Sequence, residues 1–163
     1  MRFLIFCPAS HGGIAEHAHY QAQALIQRDL LDFDLVFLCS ADFLDGRIGG
    51  YKKAEILSSH FSFFNRFLGR FGKILDRCLK ISYEQWRLAW DILWRKPDLV
   101  LVASYAEYLA PFWIWPHLVF AKFFGVTYVA NLHDPIRDYQ VGPKWWHDLS
   151  VKLAYLPISI GVV

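Results

Sequence analysis

Apolar positions follow two rhythms along this chain. Short unbroken runs at residues 3–7, 35–39, 99–102 and 127–131, with a last one at 158–163, are bounded by proline, glycine or polar residues. Runs of this length, rich in Val, Ile and Phe, predict buried strands. Between them the spacing changes to three and four. Ile14, Ala18, Ala22 and Leu25 predict a helix over 14–28, and further helices are expected at 63–95, 111–124 and 144–155. Two helices are expected in 63–95, although Gly69 and Gly72 weaken the first of them. Residues 41–60 read as a loop around Gly46, Gly49 and Gly50, with a short strand at 54–58. Pro116 predicts an irregularity in the third helical region, and Gly125 its C-terminal stop.

Strands without alternation, each followed by a helix, imply an α/β fold with a mainly parallel sheet covered on both faces. Rossmann-like, doubly wound architecture in one domain is therefore expected. The final apolar run has no element after it, so the 163 residues read as a domain lacking its continuation, either a truncated chain or an interrupted reading frame.

Composition narrows the class. Hydrophobic residues make up 55% and charged residues 20%, too apolar a mixture for disorder. Aromatics reach 18%, an excess that suggests exposed apolar surface for a partner or a membrane. The net charge of +2 is unevenly placed. Residues 61–96 hold eight Lys/Arg against three Asp/Glu, which leaves nine against twelve elsewhere. Cys7, Cys39 and Cys78 form no CxxC pair and read as free thiols in a reducing, cytoplasmic setting, without a disulfide framework or a metal site. The segment 109–132 is interrupted by Pro111, Pro116, His117, Lys122 and Gly125, which argues against a spanning helix.

The first strand passes into a helix through Ser10-His11-Gly12-Gly13. Glycines there permit a tight turn and let an anion approach the free N–H groups at the helix start. The pattern is not GxGxxG and has no P-loop lysine, so neither a dinucleotide fingerprint nor a nucleoside triphosphate loop is present, and Gly-Gly can also be a plain βα turn. The stretch Pro8-Ala9-Ser10-His11-Gly12-Gly13-Ile14-Ala15-Glu16-His17, with Gln23-Ala24-Leu25 after it, resembles the opening of GT4-family retaining glycosyltransferases. Residues 97–102, PDLVLV, are similar to that family's "PDVV" strand, and 124–134, FGVTYVANLHD, to its "LGxPxVxTxHD" block. Three ordered blocks cover nearly the whole chain.

The resemblance implies the N-terminal, acceptor-side half of a two-domain GT-B fold. It also implies transfer of a sugar from a nucleotide-sugar donor to a carbohydrate or lipid-linked acceptor hydroxyl. No cofactor is expected besides that substrate. The nucleotide pocket of such enzymes lies largely in a second domain, so these residues alone are expected to be inactive. Asp29-Leu30-Leu31 replaces the Gly-His that the family often has at the helix exit.

His133 and Asp134 follow the strand at 127–131 and are stopped from regular continuation by Pro135. From position alone they read equally as a catalytic pair or as a loop tether. The resemblance implies that His133 reaches the donor sugar and steadies developing charge, with Asp134 orienting it. No GxSxG elbow accompanies them. Around the first turn, His11, Gly12, Gly13, Ile14, Glu16 and His17 are substrate-binding candidates, and Tyr105 and Glu107 are candidates after the strand at 99–102. Glu16 also suits a helix start electrostatically, and His17 and His19, two apart, point to different helix faces.

Arg66, Arg70, Lys73, Arg77 and Lys80 recur at intervals of four and three and form a basic stripe beside Phe67 and Phe71. Arg66, Phe67, Arg70, Phe71, Lys73 and Arg77 are candidate membrane contacts, the cations meeting anionic headgroups on a peripheral, inner membrane face. A solvated face of a packed helix would look the same. Tyr83, Trp86, Trp90 and Trp94, at similar spacing, are expected to be a packed face. No nucleic-acid motif accompanies the charge. The alternative to an enzyme half is a non-catalytic Rossmann-like module working with a separate partner chain.

Overall fold

The computed structural model describes residues 1–27, 34–39, 43, 54–57, 64–103, 107–131 and 142–162. Its strands are β1 (Arg2–Cys7), β2 (Asp34–Cys39), β3 (Ala54–Ile56), β4 (Leu99–Val102), β5 (Thr127–Asn131) and β6 (Ile158–Val162). Its helices are α1 (Gly13–Gln27), α2 (Asn65–Arg95), α3 (Ala110–Phe123) and α4 (Lys144–Ala154), with a 3-10 turn at Glu107–Leu109. The six strands form one sheet in the order β3-β2-β1-β4-β5-β6, and every neighbouring pair is parallel. The fold is Rossmann-like and doubly wound. The chain progresses outward from β1 in one direction and from β4 in the other, which is the arrangement that opens a crevice between the two.

Both sheet faces are covered, as the unbroken aliphatic strands require. Ile5, Cys7, Phe37, Cys39, Leu101 and Val129 pack with Ala15, Ala18 and Ala22 of α1. The alternate residues Leu4, Phe6, Val36, Leu38, Val100, Val102 and Tyr128 pack with Leu88, Ala89 and Ile92 of α2 and Phe120 of α3. Small alanines on α1 let that helix lie close to the sheet. The helix predicted from Ile14, Ala18, Ala22 and Leu25 is therefore present, with the alanines as its buried line.

Two expectations change. The two helices expected in 63–95 run together as Asn65–Arg95 across a kink at Gly69 (φ 52°, ψ −124°), so the first is a single turn and the second holds nearly the whole length. Gly72 lies within the helix. At 31 residues α2 spans about 46 Å, more than twice the roughly 20 Å of a six-residue strand. Only its last third joins the sheet core. Cys78 and Ile81 pack instead beside Leu109, Ala110 and Trp113 of the turn and α3. The second change concerns phase. Trp86, Trp90 and Trp94 share a face, but that face is exposed by 52, 57 and 68%. Leu88, Ala89 and Ile92 occupy the opposite, sheet-facing side, and spacing alone does not say which stripe goes in.

Helix ends follow their sequence signals. Lys96 closes α2 in the left-handed region (φ 47°) and returns its N–H to the Ile92 carbonyl at 2.9 Å. Gly125, with φ 67°, stops the chain after α3. Pro116 is accommodated inside α3. Cys7 and Cys39 form no disulfide, are buried and lie opposite each other in the β1–β2 register, and burial pushes the Cys39 thiol up to about 12, with Cys7 adding to the effect.

Candidate functional site

Because all strands run one way, the ends of β1, β4 and β5 lie on a single edge of the sheet. At that edge Gly12 adopts φ 82°, a conformation that costs a non-glycine L-residue roughly 1–2 kcal/mol. The Gly12 carbonyl accepts the Glu16 N–H at 3.1 Å, which starts α1. Among the described residues, a Cβ placed on Gly12 or on Gly13 would meet nothing within 4 Å. His11, Gly12, Gly13 and His17 are exposed, and Ile14 and Glu16 are half-buried. The free N–H groups and the dipole of α1 favour an anion at this place. Glu16, in the first turn, complements the same field.

A contact without a sequence signature fixes the second wall. Asn131, the last residue of β5 and buried, donates to Gln21 Oε1 at 2.8 Å, and Gln21 Nε2 donates back to Asn131 Oδ1 at 3.1 Å. These two amides, 110 positions apart, tie the end of β5 to the flank of α1. The end of β5 thus lies beside the helix that the glycine bend opens. His133 and Asp134 themselves, and Tyr105, lie outside the described residues.

Glu107 is buried, and its carboxylate accepts the Tyr155 hydroxyl. The adjacent Tyr108 carbonyl accepts Trp146 Nε1 at 3.0 Å and Ser150 Oγ at 3.4 Å. The turn after β4 is therefore pinned to α4, and Glu107 takes part in that joint.

A further buried polar pair, unmarked by any sequence motif, lies on the other face. His117 of α3 sits edge-on to both Trp113 and Tyr128, and its Nδ1 lies 3.0 Å from the Tyr128 hydroxyl. Burial pulls the imidazole pKa down to about 4, partly offset by the Gln85 carbonyl, and pushes the Tyr128 phenol upward. Nε2 has no hydrogen-bond partner of ordinary geometry among the described residues.

Two cavities of about 200 and 210 Å³ occupy the opposite, amino-terminal edge, lined by residues such as Arg2, Arg95, Pro97 and Asp98. They are smaller than the roughly 300–1,000 Å³ usual for small-molecule sites. Arg2 is already engaged there, its backbone N–H with Asp98 Oδ2 at 2.7 Å and its guanidinium with the Arg95 carbonyl at 2.9 Å.

Of the basic segment, Arg66, Arg70, Phe71, Lys73 and Arg77 are all exposed, on the part of α2 that precedes its sheet contacts. Phe67 lies in the same stretch of helix. No protein-family model matches the chain, and no curated protein matches it.

Proposed function

We propose that this chain is the acceptor-side half of a retaining glycosyltransferase of the GT-B kind, moving a sugar from a nucleotide diphosphate donor to an acceptor hydroxyl. The observation that carries the reading is the shared edge. The glycine bend at the start of α1 and the end of β5, from which His133 and Asp134 follow two and three residues later, belong to the same edge of the sheet, and the Gln21–Asn131 amide pair ties that end of β5 to the flank of α1. In this reading the Gly12-Gly13 N–H groups face the donor diphosphate or the acceptor. His133 reaches the donor sugar near its reacting carbon, where a hydrogen bond orients the ring and stabilises charge in an oxocarbenium-like transition state. Asp134 orients the imidazole. His11, Glu16, His17, Tyr105 and Glu107 supply or support acceptor contacts. A second domain contributes the rest of the nucleotide pocket, and closure between the two excludes water.

An NMR titration tests the reading with the chain as it stands. UDP- or GDP-sugars are expected to shift the amide resonances of Gly12 and Gly13, and NAD is not. His133→Ala is expected to abolish the difference between a sugar nucleotide and the bare nucleoside diphosphate. Shifts confined to the Arg2–Asp98 edge, or produced by NAD alone, would refute it.

A further inference from the structure

Helices α3 and α4 each carry the chain from the carboxyl end of one parallel strand back to the start of the next, α3 from β4 to β5 and α4 from β5 to β6. Their first turns therefore lie toward the edge on which β4 and β5 end, the edge where ligands of open α/β sheets bind. Those two turns touch through aromatic rings. Phe112 of α3 and Trp146 of α4 have ring centroids 5.7 Å apart, inclined at 46°, and Trp145 sets its ring across Trp146 at 5.8 Å and 86°. Phe112 is 60% exposed and Trp145 66%, while Trp146 is half-buried.

The rings are held in place from below. Trp146 Nε1 donates to the Tyr108 carbonyl at 3.0 Å, in the turn that Ser150 and Tyr155 also fasten to α4. Trp115, three residues beyond Phe112 on the same side of α3, is 59% exposed and returns its own Nε1–H to the Pro111 carbonyl at 3.0 Å. With both indole N–H groups engaged by main-chain carbonyls, these two side chains offer ring rather than hydrogen bond to a ligand. The rim is polar. Asp148 is exposed and stands three residues after Trp145 on the same side of α4, and exposed Lys144 precedes it. A ligand that fits has an apolar face to lay on the rings and hydroxyls along its edge to meet a carboxylate and an ammonium. We propose that Phe112, Trp145 and Trp146 form a stacking platform for a pyranose ring. That this ring belongs to the acceptor rests on the transfer reading above.

Chemistry selects the sugar. An aromatic face is negative, and the C–H bonds on one side of a pyranose are weakly positive, so the two stack. The hydroxyls then point sideways, where donors and acceptors must stand. A planar nucleobase is best held between parallel rings, and here neighbouring rings are strongly inclined. An anionic bilayer is a poorer occupant, because the exposed carboxylate of Asp148 would meet its headgroups beside Trp145. Rings fixed before binding also lower the ordering cost, which matters most for a small neutral ligand.

The test is proton–nitrogen NMR of the full chain, following the indole N–H resonances during titration with methyl glycosides of β-glucose, α-mannose and β-galactose. At least one glycoside is expected to shift the Trp145 and Trp146 indoles and to show saturation transfer strongest at its ring C–H protons. Phe112→Ala and Trp145→Ala are each expected to weaken that binding on the order of tenfold. Trp94→Ala, which removes an equally exposed ring of α2, is expected to leave it unchanged. Trp145 lies outside the core, so Trp145→Ala with an unaltered circular dichroism melt carries the test if Phe112→Ala fails to fold. The proposal is overturned if all three glycosides leave both indoles unmoved, if uridine moves them and the glycosides do not, or if Trp94→Ala weakens binding as much as Trp145→Ala. Sugar nucleotides that shift Gly12 and Gly13 while glycosides leave the indoles unmoved would remove the platform and keep the transfer reading. Glycoside shifts at the indoles with a silent glycine bend would keep the platform and remove that reading.

Discussion

The buried His117 makes a sharp test of the packing between α3 and the sheet. In the unfolded chain an imidazole takes up a proton near pH 6.5, and in the fold not until about pH 4. Between those values the unfolded state binds more protons. The stabilisation from keeping the ring neutral is therefore complete above pH 6.5 and decays as pH falls toward 4, by at most about 1.4 kcal/mol per pH unit. Glu84 of α2 acts in the opposite sense. Burial raises its carboxyl from 4.5 to about 7, against a smaller downward pull from Lys80. The folded state holds that proton where the unfolded chain has lost it, so the Glu84 contribution is present below pH 4.5 and is lost as pH rises toward 7.

From pH 4.5 to 6.5 the two slopes nearly cancel in the native protein. Glu84→Gln removes one of them. Lowering the pH of this variant from 6.5 to 4.5 is expected to add up to about 2.7 kcal/mol of destabilisation relative to the native chain, the bound set by two pH units at the limiting slope. For a domain of this size that is a fall of roughly 5–11 °C in melting temperature. Calorimetric melts of both proteins across the window measure the difference. Adding His117→Leu to Glu84→Gln should flatten the profile again. An unaltered pH profile in the single variant, or a slope that survives removal of the imidazole, would refute the assignment of these groups.

Two further predictions concern the candidate edge. Asn131→Leu leaves the Gln21 amide without its partner, and a loss of about 1–3 kcal/mol is expected in urea unfolding, with Gln21→Leu added to it costing little more; additive losses would show that the two amides do not form a unit. Gly12→Ala should cost about 1–2 kcal/mol from its positive φ alone, whereas Gly13→Ala, with equal space and ordinary backbone, should be close to neutral in the same assay; equal effects at the two positions would remove the case for a left-handed bend.

Much of the fold is legible in order along the chain. The aliphatic runs became β1, β2, β4, β5 and β6 to within a residue or so at their ends, and Ala54–Ile56 joined the sheet as β3. These are local signals: a buried parallel strand needs apolar residues on both faces, and Gly125 stops a helix through its own backbone. The glycine bend was legible for the same reason. The Gln21–Asn131 pair was not, since two ordinary amides 110 residues apart carry no mark of their partnership. Nor was the joint between Glu107 and Tyr155, or the setting of His117, which the sequence presents only as a polar interruption in an apolar stretch.

The amino-acid sequence alone determined that strands and helices alternate, that the sheet is parallel, and that a glycine turn opens the first helix. Each follows from residues within a few positions of one another. Tertiary structure decided the strand order, which amides close the edge, and which stripe of α2 faces water. Spacing sets the period of a helical pattern, but its rotation is chosen by what packs against it. Leu88, Ala89 and Ile92 took the sheet, and the tryptophans were left outside.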